Sequence, residues 1–381
     1  MDRQLIFINS TGDTFTPTHS GAIATWIWEM CRASQASGWE PWVLTRTANV
    51  DAYPWVRTVE IAYPFPPLIR GSGRFYRWLS KINGWAHIRE SEWVKKILGI
   101  IKKNGWTEAM LVLHNDPELL VALRASLPNA KLIHLFHNCN HVDPFFRERF
   151  SDCADVVLAV STACARLNEH YFGCVINILR NGVDVNRFAP LPDVSKTRPV
   201  IGFVGRTDRQ KGPDLLLRAA LRISEKFNKF DLQLLGARFY GMHAVDSYQK
   251  SLENLATRLN QRGVSVYRPG FVNRLALPRQ LAKGDIHVVP SRWEDPCPLT
   301  VLEGMATGQA VVAAACGGIP EIVGSSGFLF ERDDVGGLET KLQMLLQDDF
   351  LRRSYGLRAR QRAEQRPWEI VFRELEEMLI L

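Results

Sequence analysis

The stretch VIGFVGRTDRQKGP, residues 200–213, has the pattern of a strand, a glycine turn and a helix. An apolar run typical of a buried strand ends at Gly205, where the backbone can turn closely. The loop that follows carries Arg206 and Lys211 and leads into a predicted helix from Pro213. A diphosphate beside this loop would meet a guanidinium able to form two parallel hydrogen bonds and a compact ammonium. The alternative is an ordinary glycine-bounded turn with two solvated cations, and this stretch alone favours neither.

A second stretch, PSRWEDPCPLTVLEGMA at residues 290–306, contributes a pair of carboxylates. Asp295 precedes a proline and is predicted in a loop, whereas Glu303 is predicted about one turn into the next helix. Both side chains then lie at the carboxyl end of a strand, where acidic acceptors suit the hydroxyls of a sugar and of a ribose. The alternative is that Asp295 caps the helix and Glu303 is a solvated helix charge.

A third stretch, ACGGIPEIV at residues 315–323, again follows an apolar strand. Its paired glycines, Gly317 and Gly318, let backbone amides approach an oxyanion, and the start of a helix adds a favourable dipole. One Gly-Gly turn is weak evidence, but it recurs at the end of another predicted strand of the same sheet.

Short apolar runs alternate with helical patterns along all 381 residues, which indicates parallel sheets with crossover helices. We predict two doubly wound, Rossmann-like α/β domains facing across a cleft: an acceptor-binding domain over 1–190 and a nucleotide-sugar-binding domain over 191–365. A C-terminal helix over 366–381 is expected to pack back on the first domain. The predicted strands are Leu5–Ile8, Trp42–Thr45, Met110–Leu113, Leu132–Phe136, Val156–Val160, Val200–Val204, Asp231–Leu235, Val264–Tyr267, Ile286–Val289 and Ala310–Ala314.

Together these three stretches resemble the family 4 glycosyltransferases of the GT-B fold (glycosyl transferases group 1). The family patterns are G-R-x-x-x-x-K-G, P-S-x-x-E-x-F-G-x-x-x-x-E-A-M-A and G-G-x-P-E. Residues 181–184, NGVD, also resemble a family motif that precedes the second domain. The order and spacing match over roughly residues 180 to 330, and the match is much looser in the first domain.

The resemblance implies that Arg206 and Lys211 hold the donor diphosphate, that Glu303 binds the donor ribose, and that the Asp295 loop contacts the transferred sugar. The sequence departs from the family at Asp295, where Glu294 is an alternative for the first acidic role, and at Pro298, which replaces a glycine. We therefore do not assign the family's preferred sugar to this chain. The donor-binding residues implied are Gly205, Glu294, Pro296, Cys297, Pro298, Leu299, Thr300, Glu303, Gly317 and Gly318.

In the first domain, candidate site residues are chosen by their position next to predicted strands. His137 ends a predicted strand where similar enzymes have a cleft histidine, and it joins Arg206, Lys211 and Asp295 as a predicted catalytic residue; a core or surface histidine is the alternative. Residues expected on the acceptor side are Ser20, Gly21, His114 and Asp116.

The formal net charge of +7 allows an anionic partner. Residues 70–103, from Arg70 to Lys103, interleave cations with aromatic side chains, which suits an anionic membrane surface. An amphipathic helix pair covering the first sheet is the alternative, and nucleic acid is not expected as a partner. The sequence shows no pattern of a signal peptide or a membrane span, and its seven scattered cysteines imply no disulfide framework. We therefore expect a cytoplasmic protein. If residues 70–103 bind lipid, the protein would be peripheral at the inner face of the membrane.

The predicted function is retaining, metal-independent transfer of a hexose from a nucleotide sugar, with a UDP-sugar as the expected co-substrate and no cofactor. The acceptor is expected to be a sugar or glycolipid, including an envelope polysaccharide. No Asp-x-Asp sequence occurs, so no metal site is predicted. The alternatives are a sugar-nucleotide epimerase or phosphorylase of the same fold, and a degenerate scaffold or binding subunit.

Overall fold

A computed structural model describes residues 4–380 except 11–12, 19–20, 49, 51, 63–83, 140, 193–196 and 239–245; of residues 84–91 and 380 it describes only the backbone. The chain forms two compact units. The first holds the described residues up to Ala159, then Ala165–Ile178 and the residues from Glu374 onward. The second holds Val160–Cys164 and Leu179–Arg373. These bounds differ from the predicted domain limits at 190, 191 and 365, and part of the C-terminal helix belongs to each unit.

In the described residues of the first unit, seven parallel strands form one sheet in the order β3-β2-β1-β4-β5-β6-β7. The inner strands are hydrophobic on both faces, as expected for a parallel sheet covered by helices. The strands are β1 (Gln4–Ile8), β2 (Glu40–Arg46), β3 (Arg57–Ile61), β4 (Met110–His114), β5 (Lys131–Phe136), β6 (Val156–Ala159) and β7 (Asn177–Ile178). The helices are α1 (Ala22–Ala36), α2 (Gly84–Lys103), α3 (Pro117–Arg124), α4 (Pro144–Cys153) and α5 (Thr162–Phe172).

The second unit repeats this plan with six parallel strands among its described residues, in the order β10-β9-β8-β11-β12-β13. Its strands are β8 (Val200–Val204), β9 (Asp231–Leu235), β10 (Val266–Gly270), β11 (Ile286–Val289), β12 (Ala310–Ala314) and β13 (Phe328–Phe330). Its helices are α6 (Pro213–Ile223), α7 (Ser247–Gln261), α8 (Leu277–Leu281), α9 (Leu299–Ala306), α10 (Ile319–Val323), α11 (Val335–Gln347) and α12 (Asp349–Glu364), and the chain ends in α13 (Trp368–Ile380).

Both sheets have a point where the strand order reverses, between β1 and β4 in the first and between β8 and β11 in the second. At such points the loops after neighbouring strands diverge and leave room for a ligand at the carboxyl edge. The prediction of two parallel-sheet α/β domains is confirmed. Among the described residues, no helix is both long and apolar enough to cross a bilayer.

The carboxyl ends of β8 and β9 are hydrogen-bonded to each other and end in two glycines. The N–H of Gly205 donates to the Leu235 carbonyl at 3.0 Å, and a Cβ added to Gly236 would come within 1.9 Å of the Gly205 carbonyl oxygen. Gly236 also has a φ of +146°, which L side chains rarely adopt. The chain therefore needs glycine at residue 236 to bring these two strand ends together.

Candidate functional site

The loop between β8 and α6 presents the two predicted cations. Arg206 is partly exposed; its Nε lies 2.8 Å from Asp208 Oδ2 and its Nη2 donates to Gln210 Oε1 at 3.1 Å. The Lys211 ammonium forms an ion pair with Asp295 and lies 5.4 Å from the centre of the Trp293 ring. The loop thus supplies positive charge at the carboxyl edge of the sheet, next to the switch point.

Arg292 links the loop after β11 to the loop after β8 and the start of α6 through hydrogen bonds. Its guanidinium makes two parallel hydrogen bonds to Asp214, at 2.6 and 2.8 Å, and its backbone N–H donates to the Gln210 carbonyl at 2.7 Å. Tyr248 also donates to Asp214, at 2.5 Å. This arrangement fixes the loop after β8 relative to the loop after β11, because bidentate arginine–carboxylate pairs are geometrically specific.

Glu294 and Asp295 have different partners, although they are adjacent. Asp295 is nearly buried and pairs with Lys211. Glu294 is half exposed: one of its oxygens lies 2.6 Å from Arg332 Nη1, and the other accepts from the Gly317 N–H at 2.7 Å. A residue with a side chain is excluded at Gly317, where φ is +56° and an added Cβ would lie 2.2 Å from the Asp295 carbonyl oxygen.

Glu303 lies inside α9 and is only 1% exposed. Its Oε1 lies 2.5 Å from Arg274 Nη1, and the Arg274 guanidinium lies 5.1 Å from the centre of the Phe188 ring. Glu303 is therefore not the solvated helix charge that the sequence left open. Asp295 does not cap α9 either, because the residue at the N-cap is Pro298, which makes no side-chain capping bond.

The remaining predicted donor residues line the start of α9 and the turn before α10. Leu299 and Thr300 form the first turn of α9, preceded by Pro296 and Cys297. The Cys297 carbonyl accepts from Asn181 Nδ2 at 2.9 Å, and burial raises the pKa of its thiol to about 12. The Gly318 N–H donates to the Asp295 carbonyl at 2.9 Å, so the Gly-Gly turn packs on the carboxylate loop. The structure thus brings the donor residues predicted in the second unit together along one edge.

In the first unit, three buried histidines lie in or next to β4 and β5: His114 ends β4, His134 is inside β5 and His137 follows β5. His114 Nδ1 lies 3.0 Å from His137 Nε2, and His134 Nε2 accepts from the Asp116 N–H at 3.1 Å. Burial lowers the pKa of His134 and of His137 to about 3, and it lowers that of His114 well below its ordinary value. All three rings are therefore neutral at neutral pH.

The other acceptor-side candidates have structural partners. Asp116 caps α3 by accepting from the Leu119 N–H at 3.0 Å, and burial raises its pKa to about 6. Gly21 is the N-cap of α1, and its N–H donates to Asp13 Oδ2 at 2.8 Å. Ser20 lies outside the described residues. His114 is fully buried, so its ring is not open to a ligand.

The basic segment from Arg70 to Lys103 is described only in part. Its residues up to 83, and the side chains of 84–91, lie outside the described residues. In the described part of α2, Trp93, Ile97 and Ile101 are buried, while Lys96 donates to the Ala62 carbonyl at 2.7 Å. That part has the amphipathic form of a helix packed on a core.

Sequence reasoning missed Arg274, Arg292, Arg332 and Trp293 as parts of the site. Arg292 and Trp293 stand inside the quoted motif, so their position was a usable signal. Arg274 and Arg332 come from loops after β10 and β13 that carry no motif, and only the folded sheet brings them beside the carboxylates. Among the described residues, no group of three His, Cys, Asp or Glu side chains is arranged to hold a metal ion.

Comparison with known proteins covers both units. Residues 198–348 match the family model for glycosyl transferases group 1, and residues 23–187 match the model for glycosyltransferase family 4. The D-inositol 3-phosphate glycosyltransferase of Corynebacterium aurimucosum is 32% identical over 247 residues, which are 60% of this chain and 57% of that protein. The chain thus spans less than two thirds of that relative's length.

Solved structures share the fold over nearly the whole chain. A sucrose-phosphate synthase from Thermosynechococcus elongatus superposes with a TM-score of 0.79 at 20% identity, covering 99% of this chain and 98% of that one. The Anabaena protein HepE, in complex with UDP and glucose, gives a TM-score of 0.71 at 20% identity and covers 98% of both chains. At these identities the likeness shows the two-domain fold.

Proposed function

The chain belongs to the family 4 glycosyltransferases (glycosyl transferases group 1), and we propose that it transfers a sugar from a nucleotide-sugar donor to an acceptor hydroxyl. The observation that carries this proposal is the Lys211–Asp295 ion pair beside Arg206, at the switch point of the second sheet. An ammonium and a guanidinium at such an edge suit a diphosphate.

In this proposal Lys211 breaks its ion pair with Asp295 when the donor diphosphate binds. The ammonium has three N–H donors, so it can bind phosphate oxygens as the Asp295 carboxylate turns to the hydroxyls of the sugar. Glu303, oriented by Arg274, would accept from the ribose hydroxyls. The Gly317 amide is held by Glu294, so a phosphate oxygen at that turn would have to displace a carboxylate.

The difficult step is the departure of the diphosphate, since positive charge develops on the sugar ring and negative charge on the leaving group. Fixed cations aimed at the leaving group lower that barrier most. Arg206 and Lys211 would supply this charge without a metal ion, and the chemistry we propose is retaining. His137 would contact the donor sugar or the acceptor.

The proposed donor is a UDP-sugar, and the proposed acceptor is a sugar or a glycolipid. Support for the base is the UDP and glucose bound by the fold relative HepE. Support for a hydroxyl-bearing acceptor is the inositol phosphate named for the Corynebacterium relative. Neither relative identifies the transferred sugar.

The test is a panel of UDP-, GDP- and ADP-sugars, measured by calorimetric binding and by slow donor hydrolysis. We predict that one donor binds the wild type and that Lys211→Ala lowers its hydrolysis by about 100-fold, the scale of losing one electrostatic donor at a leaving group. Lys229→Ala removes an exposed lysine from the same unit and should leave hydrolysis unchanged. If no donor binds the wild type, the chain is a binding or scaffold subunit instead.

A further inference from the structure

The contact between His114 and His137 sets a constraint on where their protons lie. A neutral imidazole carries one N–H donor and one lone pair. His114 Nδ1 and His137 Nε2 are 3.0 Å apart, so one of them must donate and the other accept. Because both rings are neutral at neutral pH, fixing one proton fixes the hydrogen-bonding role of all four nitrogen atoms.

The surroundings of His114 distinguish the two arrangements. His114 Nε2 is buried and has no hydrogen-bond partner in the described part of the chain. The ring is enclosed by Phe7, stacked with centres 6.3 Å apart, and by Trp26, edge-on at 5.1 Å. If His137 donated, His114 would carry its own proton on Nε2 and bury an N–H without an acceptor. If His114 donates, only a lone pair is left there, and orphaned N–H groups are the rarer defect.

The geometry points to His114 as a positioning residue that donates from Nδ1 to His137 Nε2 and thereby fixes the proton of His137 on Nδ1. His137 then meets its ligand as a neutral hydrogen-bond donor and not as a base. A donor of this kind suits a hydroxyl or ring oxygen of a sugar. This inference rests on the proposed function for the ligand of His137, but not for the tautomer itself.

The third histidine, His134, makes its hydrogen bond outside this pair. His134 Nε2 accepts from the Asp116 N–H, so the proton of neutral His134 is on Nδ1, a buried atom without a hydrogen-bond partner among the described residues. The backbone of His137 is held independently, because its N–H donates to Asn115 Oδ1 at 2.7 Å. His114 therefore orients the ring of His137, while Asn115 places its backbone.

The experiment is NMR of the full chain labelled with ¹⁵N-histidine, at neutral pH and without donor. We expect an ¹⁵N–¹⁵N coupling across the hydrogen bond with the proton attached to His114 Nδ1, and the Nδ1–H tautomer for His137. A proton on His137 Nε2 in the wild type overturns the proposal, and that measurement needs no variant. If sugar nucleotides fail to bind, the proposed function fails while this readout stands.

Two substitutions at His114 form a matched pair. In His114→Asn the amide nitrogen occupies the place of Nδ1 and still donates, so His137 should keep its tautomer. In His114→Leu the donor is lost, and His137 should shift toward the Nε2–H form, with kcat/KM for the donor lowered about 5- to 10-fold, the scale of one neutral hydrogen bond. An unchanged His137 tautomer in a folded His114→Leu protein would contradict the assignment.

Discussion

The Arg274–Glu303 pair shows what a single buried charge requires of its neighbours. Glu303 is almost completely buried, and Arg274 is 14% exposed. A carboxylate taken out of water at such a site is tolerated only with a cation beside it. The motif predicted Glu303 from sequence, but nothing in the sequence marked Arg274, because the two residues meet only when the loop after β10 folds against α9.

We predict that Arg274→Ala lowers the free energy of unfolding by about 3 kcal/mol, because it leaves the Glu303 charge buried and unpaired. Urea unfolding followed by circular dichroism measures the change. Glu225→Ala serves as the control: it removes the exposed partner of Arg262, a pair 3.3 Å apart, and should cost under about 1 kcal/mol. Equal losses in the two variants would show that Glu303 is not held by Arg274.

Among the elements, the turn after β4 places the first unit's candidate site. Asn115 has a left-handed backbone with φ +53°, and its side chain accepts from the N–H groups of His137 and Asn138 at 2.7 and 3.2 Å. Asparagine tolerates this conformation better than other residues with side chains. One residue thus joins the end of β4 to the end of β5.

Substitutions at Asn115 should separate its two contributions. Asn115→Ala loses both side-chain hydrogen bonds and strains the left-handed turn, whereas Asn115→Gly loses only the bonds. We predict that Ala is less stable than Gly by about 1 kcal/mol, as judged by urea midpoints. Asn115→Asp keeps the accepting oxygen and should be the mildest of the three. If Ala and Gly have equal midpoints, backbone strain makes no contribution here.

Prediction of strands from the sequence succeeded where both faces of the strand are buried. Strands β8 and β12 are continuous apolar runs, and their predicted and observed bounds agree. Sequence reasoning missed β3, β7 and β13, which are short or lie at sheet edges with few buried side chains. The prediction for β10 began too early, since Val264 is a core residue that precedes the strand.

For the whole molecule, buried histidines govern stability in acid. Burial lowers the pKa of His287 to about 4, and His114, His134 and His137 are lowered in the same way. These groups bind protons more readily when unfolded, so their contribution is complete above about pH 6.5 and is lost as the pH falls toward 3. Asp116 acts in the opposite direction, because its raised pKa of about 6 makes the folded state bind a proton first.

We therefore predict a net uptake of about three protons on unfolding near pH 5, where four histidines gain a proton and Asp116 loses one. The urea midpoint should fall steeply between pH 6.5 and pH 4. The slope of the unfolding free energy against pH, obtained from the midpoint and the m-value, divided by 2.303RT gives the proton number. A midpoint that stays constant over this range would mean that these histidines are already protonated in the folded protein.

Metal dependence is a second property of the whole molecule. The sequence contains no Asp-x-Asp, and the positive charge at the donor loop comes from Arg206 and Lys211. We predict that donor hydrolysis is unchanged after dialysis against EDTA. Loss of hydrolysis on chelation, restored by adding magnesium or manganese, would show that a metal ion neutralises the diphosphate instead.

The close approach of Gly205 and Gly236 also limits how the protein can diverge. A single methyl group at residue 236 would meet a backbone oxygen rather than a side chain that can rotate away. No second substitution at residue 205 relieves that collision, because a carbonyl is present whatever the side chain. We therefore expect few substitutions to be tolerated at residue 236, and sequence change near this turn should be confined to the loops around it.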